Sequence, residues 1–195
     1  EYASTTVVAP GDRVTVDADC ATFVNLVCRV SATIHVPRGT FVTGGGDSPI
    51  QVVDVGGRVD LSTDNGSVTG EGADGSVRVS PENGAINLAD SAGTVSLSTD
   101  NGRITASGVR ATSVVASTSN GRIVLDLAAA PDSVVARSSN GTISVLVPDE
   151  EGVAYATSAA SDNGGVDELI RTDPSSPRTI EARTDNGSVS LRYRA

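Results

Sequence analysis

The sequence predicts an all-β fold, a single-domain parallel β-solenoid with coils of about 18–23 residues and two short strands in each coil. Glycine recurs every nine residues through the middle of the chain, and every second such glycine follows an asparagine. Apolar and polar residues alternate between these glycines, which is the period of a β-strand. A repeat of two strands that returns to the same phase indicates stacked coils.

Each glycine of the repeat is followed two positions later by Val or Ile. The glycines with regular spacing are Gly66, Gly75, Gly84, Gly93 and Gly102, and those with looser spacing are Gly121, Gly141, Gly164 and Gly187. Short alternating segments follow them, such as Val77-Arg-Val79 and Val95-Ser-Leu97. These segments predict strands that bury small β-branched side chains on one face.

Asparagine precedes seven of the glycines, at intervals of 18 to 23 residues: Asn65, Asn83, Asn101, Asn120, Asn140, Asn163 and Asn186. Both residue types tolerate positive φ, so we expect each pair to form a tight corner, and about six coils to follow. Asn-Gly also favours antiparallel hairpins, and a meander or sandwich is the alternative. The alternation of Asn-Gly with plain Gly favours the solenoid, because each kind of corner then stacks in its own column.

The two ends of the chain are less regular. Residues 1–59 are predicted to form an irregular N-terminal cap and the first coils, with strands at 13–18, 32–36 and 50–55. Residues 60–147 hold the regular repeats, and residues 148–195 the looser C-terminal coils, with a short helix near 166–171. Atypical ends are expected, because a solenoid must protect its open sheet edges.

Charge and hydropathy limit the classes of partner. The chain has no lysine, and its 14 arginines face 24 acidic residues, for a net charge of -10. Nucleic acid and anionic membranes are therefore not expected as partners. No run of about 18 apolar residues is present, and the sequence begins at Glu1 rather than Met. We expect a leader or membrane anchor outside this chain, so that any membrane contact is made through that segment.

Two cysteines, Cys20 and Cys28, are eight positions apart. They can form a disulfide only if the chain reverses between them, with Asn25 as a candidate turn. An even pair is typical of an oxidising compartment, and two buried free thiols are the alternative.

The repeated Gly-x-Val-x-Val/Leu-Ser-Thr-Asp-Asn-Gly pattern follows a segment that reads as a strand and a Pro-x-Gly turn, Ile34-His-Val-Pro-Arg-Gly39. Over residues 5–193 this arrangement resembles the bacterial Toastrack domain, a family of adhesin-like β-strand repeat proteins. The resemblance implies a bacterial protein, often anchored in the cell membrane with the repeats outside. Adhesion and envelope-stress signalling are both proposed for such proteins, and the family has no catalytic residues to transfer.

The sequence predicts no enzyme, cofactor or metal site. His35, the single histidine, lies between two apolar residues of a predicted strand, so its ring is expected to face solvent, and the two cysteines lack zinc-site spacing. Acidic residues precede five of the Asn-Gly pairs and could line up to bind calcium, but acidic residues are also ordinary turn formers. They are Asp64, Glu82, Asp100, Asp162 and Asp185, with Ser119 and Ser139 in the same slot of two other repeats.

These observations predict a non-catalytic, extracytoplasmic surface scaffold that binds a protein or a cell-envelope component. One alternative is the ectodomain of a membrane-anchored envelope-stress signalling protein. A second is a polysaccharide-active β-helix enzyme with acidic and Arg residues on one face.

Overall fold

The computed structural model describes residues 2–7, 30–37 and 39–194. Strands account for all of its named elements. The first nine are β1 (Tyr2–Val7), β2 (Val30–His35), β3 (Val42–Gly44), β4 (Ile50–Val53), β5 (Val59–Leu61), β6 (Val68–Glu71), β7 (Val77–Val79), β8 (Ile86–Ala89) and β9 (Ala92–Asn101). The others are β10 (Ile104–Asn120), β11 (Ile123–Leu127), β12 (Ser133–Asn140), β13 (Ile143–Val147), β14 (Ala156–Asn163), β15 (Val166–Leu169), β16 (Thr179–Asn186) and β17 (Val189–Tyr193).

Every strand pairing is parallel, and the strands from β3 onward form the two faces of a solenoid, as predicted. Face A contains the strand before each Asn-Gly corner, in the order β3, β5, β7, β9, the second half of β10, β12, β16 and β14. Face B contains the strand after each corner, in the order β4, β6, β8, the first half of β10, β11, β13, β17 and β15.

Within the described residues the solenoid has eight levels, each with one strand in each face, rather than the six or so expected. Seven of these levels have an Asn-Gly corner, and the first of these corners in the sequence is at Asn65. In the structure the coil before it already occupies level 1, with Asp47 at the corner position where later coils have asparagine. The corner asparagine is therefore not a reliable marker of the first coil.

The last two coils of the sequence stack in reverse order. Strand β12 pairs with β16, and β16 pairs with β14, so the final coil of the sequence lies between its two predecessors. On face B, β17 likewise lies between β13 and β15. The final coil is level 7, and the coil before it in sequence is the outermost level 8.

The polarity of the inward positions explains this order. Level 7 presents Ile180 and Leu191 to the core, with at most 1% of either residue exposed. At the matching positions level 8 has Thr157 and Glu168, whose side chains hydrogen-bond to each other at 3.3 Å. An apolar coil is stable between two neighbours, whereas the end of a solenoid faces water and favours polar residues.

The core between the faces consists of columns of aliphatic side chains, one residue per level. On face B the first inward column runs through Val68, Ile86, Ile104, Ile123, Ile143 and Val189, none more than 1% exposed. Full burial of one such residue contributes about 1.5–3 kcal/mol. Register is fixed by this pattern, because a shift by one residue would move every column to the outside.

Arginines hold the segment that leads back from level 8 to level 7. The Arg178 guanidinium donates to the carbonyl oxygens of Ala130 and Pro131 at 3.1 and 2.9 Å and to the Asp132 carboxylate at 2.7 Å. Arg171 forms an ion pair with Asp149, and its Nε donates to the Tyr193 hydroxyl at 3.1 Å. These contacts fix the reversed path of the backbone at both of its bends.

Tyr155 lies where the backbone enters level 8 and is the largest fully buried residue in the described part of the chain. Its amide donates to the carbonyl oxygen of Arg171 at 3.1 Å, and its carbonyl accepts from Asp173 at 2.9 Å. No described residue is a hydrogen-bond partner for its hydroxyl. Burial raises the pKa of Tyr155 to about 12, against a partly offsetting effect of the Arg178 charge.

The remaining sequence predictions have mixed outcomes. Strands are present where 32–36 and 50–55 were predicted, as β2 and β4, and β2 pairs with β1 in a separate two-stranded sheet. The short helix near 166–171 is wrong, because that segment forms β15 at the open edge. The strand predicted at 13–18, the turn at Asn25, and Cys20 and Cys28 with their proposed disulfide lie outside the described residues. No helix in the described parts of the protein has the length and apolarity that a membrane crossing requires.

The reversed order of the last levels predicts unequal effects at two paired valines. Val189 of level 7 is 1% exposed, and its register partner Val166 of level 8 is 40% exposed. We expect Val189→Ala to lower the free energy of unfolding by about 2–3 kcal/mol, since it leaves a cavity, and Val166→Ala by less than about 1 kcal/mol. Urea denaturation of both variants measures this; a larger loss for Val166→Ala would contradict the reversed order.

The buried Tyr155 hydroxyl predicts an alkaline loss of stability. Its folded pKa of about 12 exceeds the ordinary value of 10.0, so its contribution is complete below about pH 10 and is lost as pH rises towards 12. Tyr155→Phe removes an unpaired hydroxyl, so we expect a neutral to slightly stabilising effect at pH 7, up to about 1 kcal/mol. Above pH 10 the free energy of unfolding of Tyr155→Phe, measured by urea denaturation, should exceed that of the unmodified protein by a growing amount. If the two proteins lose stability in parallel as pH rises, Tyr155 is not the group responsible.

Candidate functional site

The corner asparagines form one continuous ladder of amide groups along the solenoid. Each Nδ2 donates to the Oδ1 of the level before it, at 2.8 to 3.3 Å, from Asn163 at one end to Asp47 at the other. In spatial order the acceptors are Asp47, Asn65, Asn83, Asn101, Asn120, Asn140 and Asn186. Amide ladders of this kind stabilise stacked identical positions.

The direction of the ladder follows from the chemistry of Asp47. A carboxylate only accepts hydrogen bonds, so it can occupy only the end of the ladder at which an acceptor is needed. All the amides therefore donate towards level 1, where the negative charge of Asp47 lies against the positive end of the aligned dipoles. The Asn-Gly pattern identifies the seven asparagines but not Asp47, for which the only sequence signal is its position 18 residues before Asn65.

Glycine follows each ladder asparagine because the corners stack too closely for any larger residue. A Cβ at Gly102 would collide with the carbonyl oxygen of Gly84, and a Cβ at Gly121 with that of Gly102. The expected reason, positive φ at both residues of the corner, is wrong: no corner asparagine has positive φ, and among the glycines after them only Gly187 has it. The plain glycines also stack in their own column, Gly57, Gly75 and Gly93, as predicted.

A hydroxyl column fixes the corners from the inside. In levels 4 to 8, the residue two positions before the corner asparagine is Ser or Thr. Its hydroxyl donates to the carbonyl oxygen of the corner glycine in the adjacent level nearer level 1. The distances are 3.1 Å from Thr99 to Gly84, 3.2 Å from Thr118 to Gly102, 3.1 Å from Ser138 to Gly121, 2.8 Å from Thr184 to Gly141 and 2.7 Å from Ser161 to Gly187. These bonds satisfy carbonyl groups at the turns.

The acidic residues before the asparagines form an exposed row on face A, and the two serines interrupt it. In spatial order the row reads Asp64, Glu82, Asp100, Ser119, Ser139, Asp185 and Asp162. Of these carboxylates, that of Asp162 accepts from Arg183 at 3.1 and 3.3 Å. Within the described residues, no group of three or more His, Cys, Asp or Glu side chains is placed to hold a metal ion.

The interruption of the acidic row opens a cavity of about 300 Å³ on face A, which we call the serine groove. Its floor and walls come from levels 4 to 7, which extend over about 14 Å at the spacing of adjacent strands. The lining residues are Ser98, Thr99, Asp100, Ser117, Thr118, Ser119, Arg137, Ser138, Ser139, Arg183 and Asp185.

Small side chains in the centre and charged ones at the ends give the groove its shape. Ser117 and Ser119 lie at level 5. Two levels further along, longer side chains occupy the same two columns: Arg183 is in the column of Ser117, and Asp185 is in the column of Ser119. Arg137 enters at level 6 and pairs with Glu181, whose Oε1 accepts from Arg137 Nη2 at 2.6 Å. The ion pairs hold both guanidinium groups in place beside the hydroxyls.

The groove can form many hydrogen bonds with a polar ligand. Its hydroxyls donate and accept, its carboxylates accept and its guanidinium groups donate, and a ligand rich in hydroxyl groups satisfies all three. Ser119 and Ser139 are visible in the sequence as breaks in the acidic row, but the pattern does not predict a cavity there. His35 lies elsewhere, exposed at the end of β2.

Comparison of the sequence and structure with family models, with curated proteins and with solved structures found no match. The similarity to the Toastrack domain therefore stays a prediction from the repeat pattern.

The directed ladder predicts opposite outcomes for two exchanges of Asp and Asn. Asn120→Asp places a carboxylate against the Asn101 Oδ1, so two acceptors face each other; we expect a loss of about 1–2 kcal/mol at pH 7. Asp47→Asn keeps an acceptor for Asn65 and should change stability by less than about 0.5 kcal/mol.

The pH dependence of the Asn120→Asp variant checks the cause. A protonated carboxyl can donate to Asn101, so its folded pKa is raised above the ordinary value of about 4, and the loss in urea denaturation should shrink as pH falls towards about 4. A loss that is constant with pH, or an equal loss for Asp47→Asn, would contradict the direction of the ladder.

Proposed function

We propose that this protein is a non-catalytic, extracytoplasmic interaction module, and that the serine groove binds a polar component of a cell envelope or cell surface. The observation that carries the proposal is the groove itself, a cavity of about 300 Å³ lined by hydroxyl, carboxylate and guanidinium groups. This volume lies at the small end of the range for ligand sites, and the polar lining favours a hydroxyl-rich ligand over an apolar one.

The scaffold supports this role because it holds the groove rigidly. The lining residues lie on β9, β10, β12 and β16, whose inward neighbours are buried and whose corners are joined by the amide ladder. Sites on packed strands lose little conformational entropy on binding, so weak polar contacts can add up to a useful affinity. The net charge of -10 favours partners that are neutral or cationic.

A polysaccharide-active enzyme is the second candidate, because acidic and basic side chains line the same groove. The groove contains two carboxylates, Asp100 and Asp185, together with Arg137 and Arg183 on the same face. Asp100 and Asp185 lie three levels apart in one column, about 14 Å, whereas the paired carboxyl groups of glycoside hydrolases lie about 5–9.5 Å apart, so these two groups do not flank one glycosidic bond. Binding without turnover distinguishes the interaction module from this enzyme.

The test is titration calorimetry of the purified protein against a panel of neutral and charged envelope polysaccharide fragments, with an assay for cleaved product on every ligand. We expect binding without cleavage. Ser117→Tyr fills the centre of the groove and should weaken binding at least about tenfold, the effect of one or two lost hydrogen bonds.

The matched control is Ser62→Tyr, at the same outward column of face A but outside the groove. It should bind as tightly as the unmodified protein. Equal weakening by both variants, or binding of no fragment, would contradict the role of the groove. Product release would instead favour the enzyme, and capture of one membrane protein by crosslinking in cells would favour the signalling ectodomain.

A further inference from the structure

The seven Asn-Gly pairs have the same local chemistry but different surroundings, and the pair at level 8 differs most. Each of the other six asparagines donates through Nδ2 to one neighbour and accepts through Oδ1 from the next. Asn163 donates to the Asn186 Oδ1 at 3.1 Å, but no described residue donates to its own Oδ1. Its amide group is held on one side only.

The glycine after Asn163 is also the least protected of its kind. The amides of Gly102, Gly121, Gly141 and Gly187 donate to the asparagine carbonyl of the next level at 2.8 to 3.1 Å. No further level lies beyond Gly164 among the described residues, and none of them offers a backbone acceptor for its N–H. It is exposed, whereas the other six glycines are buried or half-buried.

Two other corners share part of this description. The amides of Gly66 and Gly84 have no backbone acceptor in the described part of the protein either. Their asparagines, Asn65 and Asn83, are however hydrogen-bonded on both sides, and neither glycine is exposed. Among the described corners, only level 8 combines a free amide oxygen, a free N–H and an exposed glycine.

Asn-Gly pairs can react with themselves in water. The backbone nitrogen of the glycine attacks Cγ of the asparagine, a new bond forms between these two atoms, and the bond from Cγ to Nδ2 breaks as ammonia leaves with the glycine amide proton. The resulting succinimide is opened by one water molecule at either carbonyl. The products are aspartate or isoaspartate, and asparagine is accordingly counted among the chemically labile residues.

We propose that Asn163 is a site of spontaneous deamidation, and that the same reaction is suppressed at the other six corners by the ladder. The reaction needs the asparagine amide to rotate towards a free glycine nitrogen. At an inner corner this rotation breaks two hydrogen bonds of the ladder, and at Gly102, Gly121, Gly141 and Gly187 the nitrogen must also be released. At Asn163 the rotation breaks one bond.

The product destabilises the end of the solenoid. An aspartate at this position has no donor for the Asn186 Oδ1, so the last bond of the ladder is replaced by two facing acceptors. The new charge lies next to Asp162, and isoaspartate also lengthens the backbone by one atom. Level 8 covers the apolar residues Ile180 and Leu191, so its loosening exposes the core edge.

The experiment is incubation of the intact protein at mildly alkaline pH, followed by fragment sequencing by mass spectrometry at all seven asparagines. Asn140 and Asn163 fall in one tryptic peptide, residues 138–171, so the two sites must be separated by fragment ions. We expect Asn163 to convert at least about tenfold faster than Asn120, Asn140 or Asn186, the factor that one protecting hydrogen bond contributes.

The same molecule unfolded in urea is the matched control. All seven pairs then have equal access, so their rates should become similar, and the ratio of native to unfolded rate isolates the protection at each corner. Equal native rates at all seven sites, or faster conversion at an inner corner, would overturn the proposal.

Two variants test the consequence. Asn163→Asp should increase hydrogen exchange in β14 and β15 severalfold while β12 and β13 are unchanged. Asn163→Ser cannot deamidate, so ageing should no longer increase exchange in β14. If hydrogen exchange in β14 still increases when Asn163→Ser is incubated, or if exchange is unchanged in Asn163→Asp, the link between this residue and the end level is overturned.

Discussion

Close stacking of the corners is the constraint on which the rest of this structure depends. Each corner glycine lies so near the carbonyl of the one before it that a single Cβ would separate the levels. That approach brings successive asparagine amides within hydrogen-bond distance and places the inner Ser or Thr hydroxyl against the glycine carbonyl. The aliphatic columns follow, because corners stacked in register put every second residue of each strand into the same column.

The same constraint explains how the solenoid ends. A parallel stack has no natural last level, since every coil leaves unpaired backbone groups for another coil. Here the outermost coil has Thr157 and Glu168 where inner coils have aliphatic residues, and the backbone returns from it to place an apolar coil beneath. The polar coil therefore caps the solenoid because the last two coils of the sequence are stacked in reverse order. Arg171 and Arg178 hold the two bends of the backbone that this reversal requires.

The serine groove arises from a local break in an otherwise repeated surface. Repetition places similar side chains at every level, so a distinct site requires the repeat to change. At levels 5 and 6 serine replaces the carboxylate of the outward row, and at levels 6 and 7 arginine enters the neighbouring column. The small residues leave space and the charged residues border it, which concentrates hydrogen-bonding groups in one place on a rigid face.

The sequence by itself determined the fold class, the two strands per coil, the two kinds of corner and the core columns, because all of these are periodic and local. The period of two sets the direction of each residue, inward or outward, and the recurrence of Asn-Gly sets the stacking. Thr157 and Glu168 occupy positions that are aliphatic in other coils, and these polar residues in the sequence indicate a coil at the end of the stack.

Only the tertiary structure decided the number of levels, the reversed order of the last two coils and the position of the groove. Asp47 can replace asparagine at the first corner because the end of the ladder needs only an acceptor, which no pattern of identical residues reveals. The order of the last coils depends on which coil buries its inward residues between two others. That depends on contacts between segments that are distant in the sequence. The groove joins residues from β9 to β16, whose proximity is created by stacking and not by spacing along the sequence.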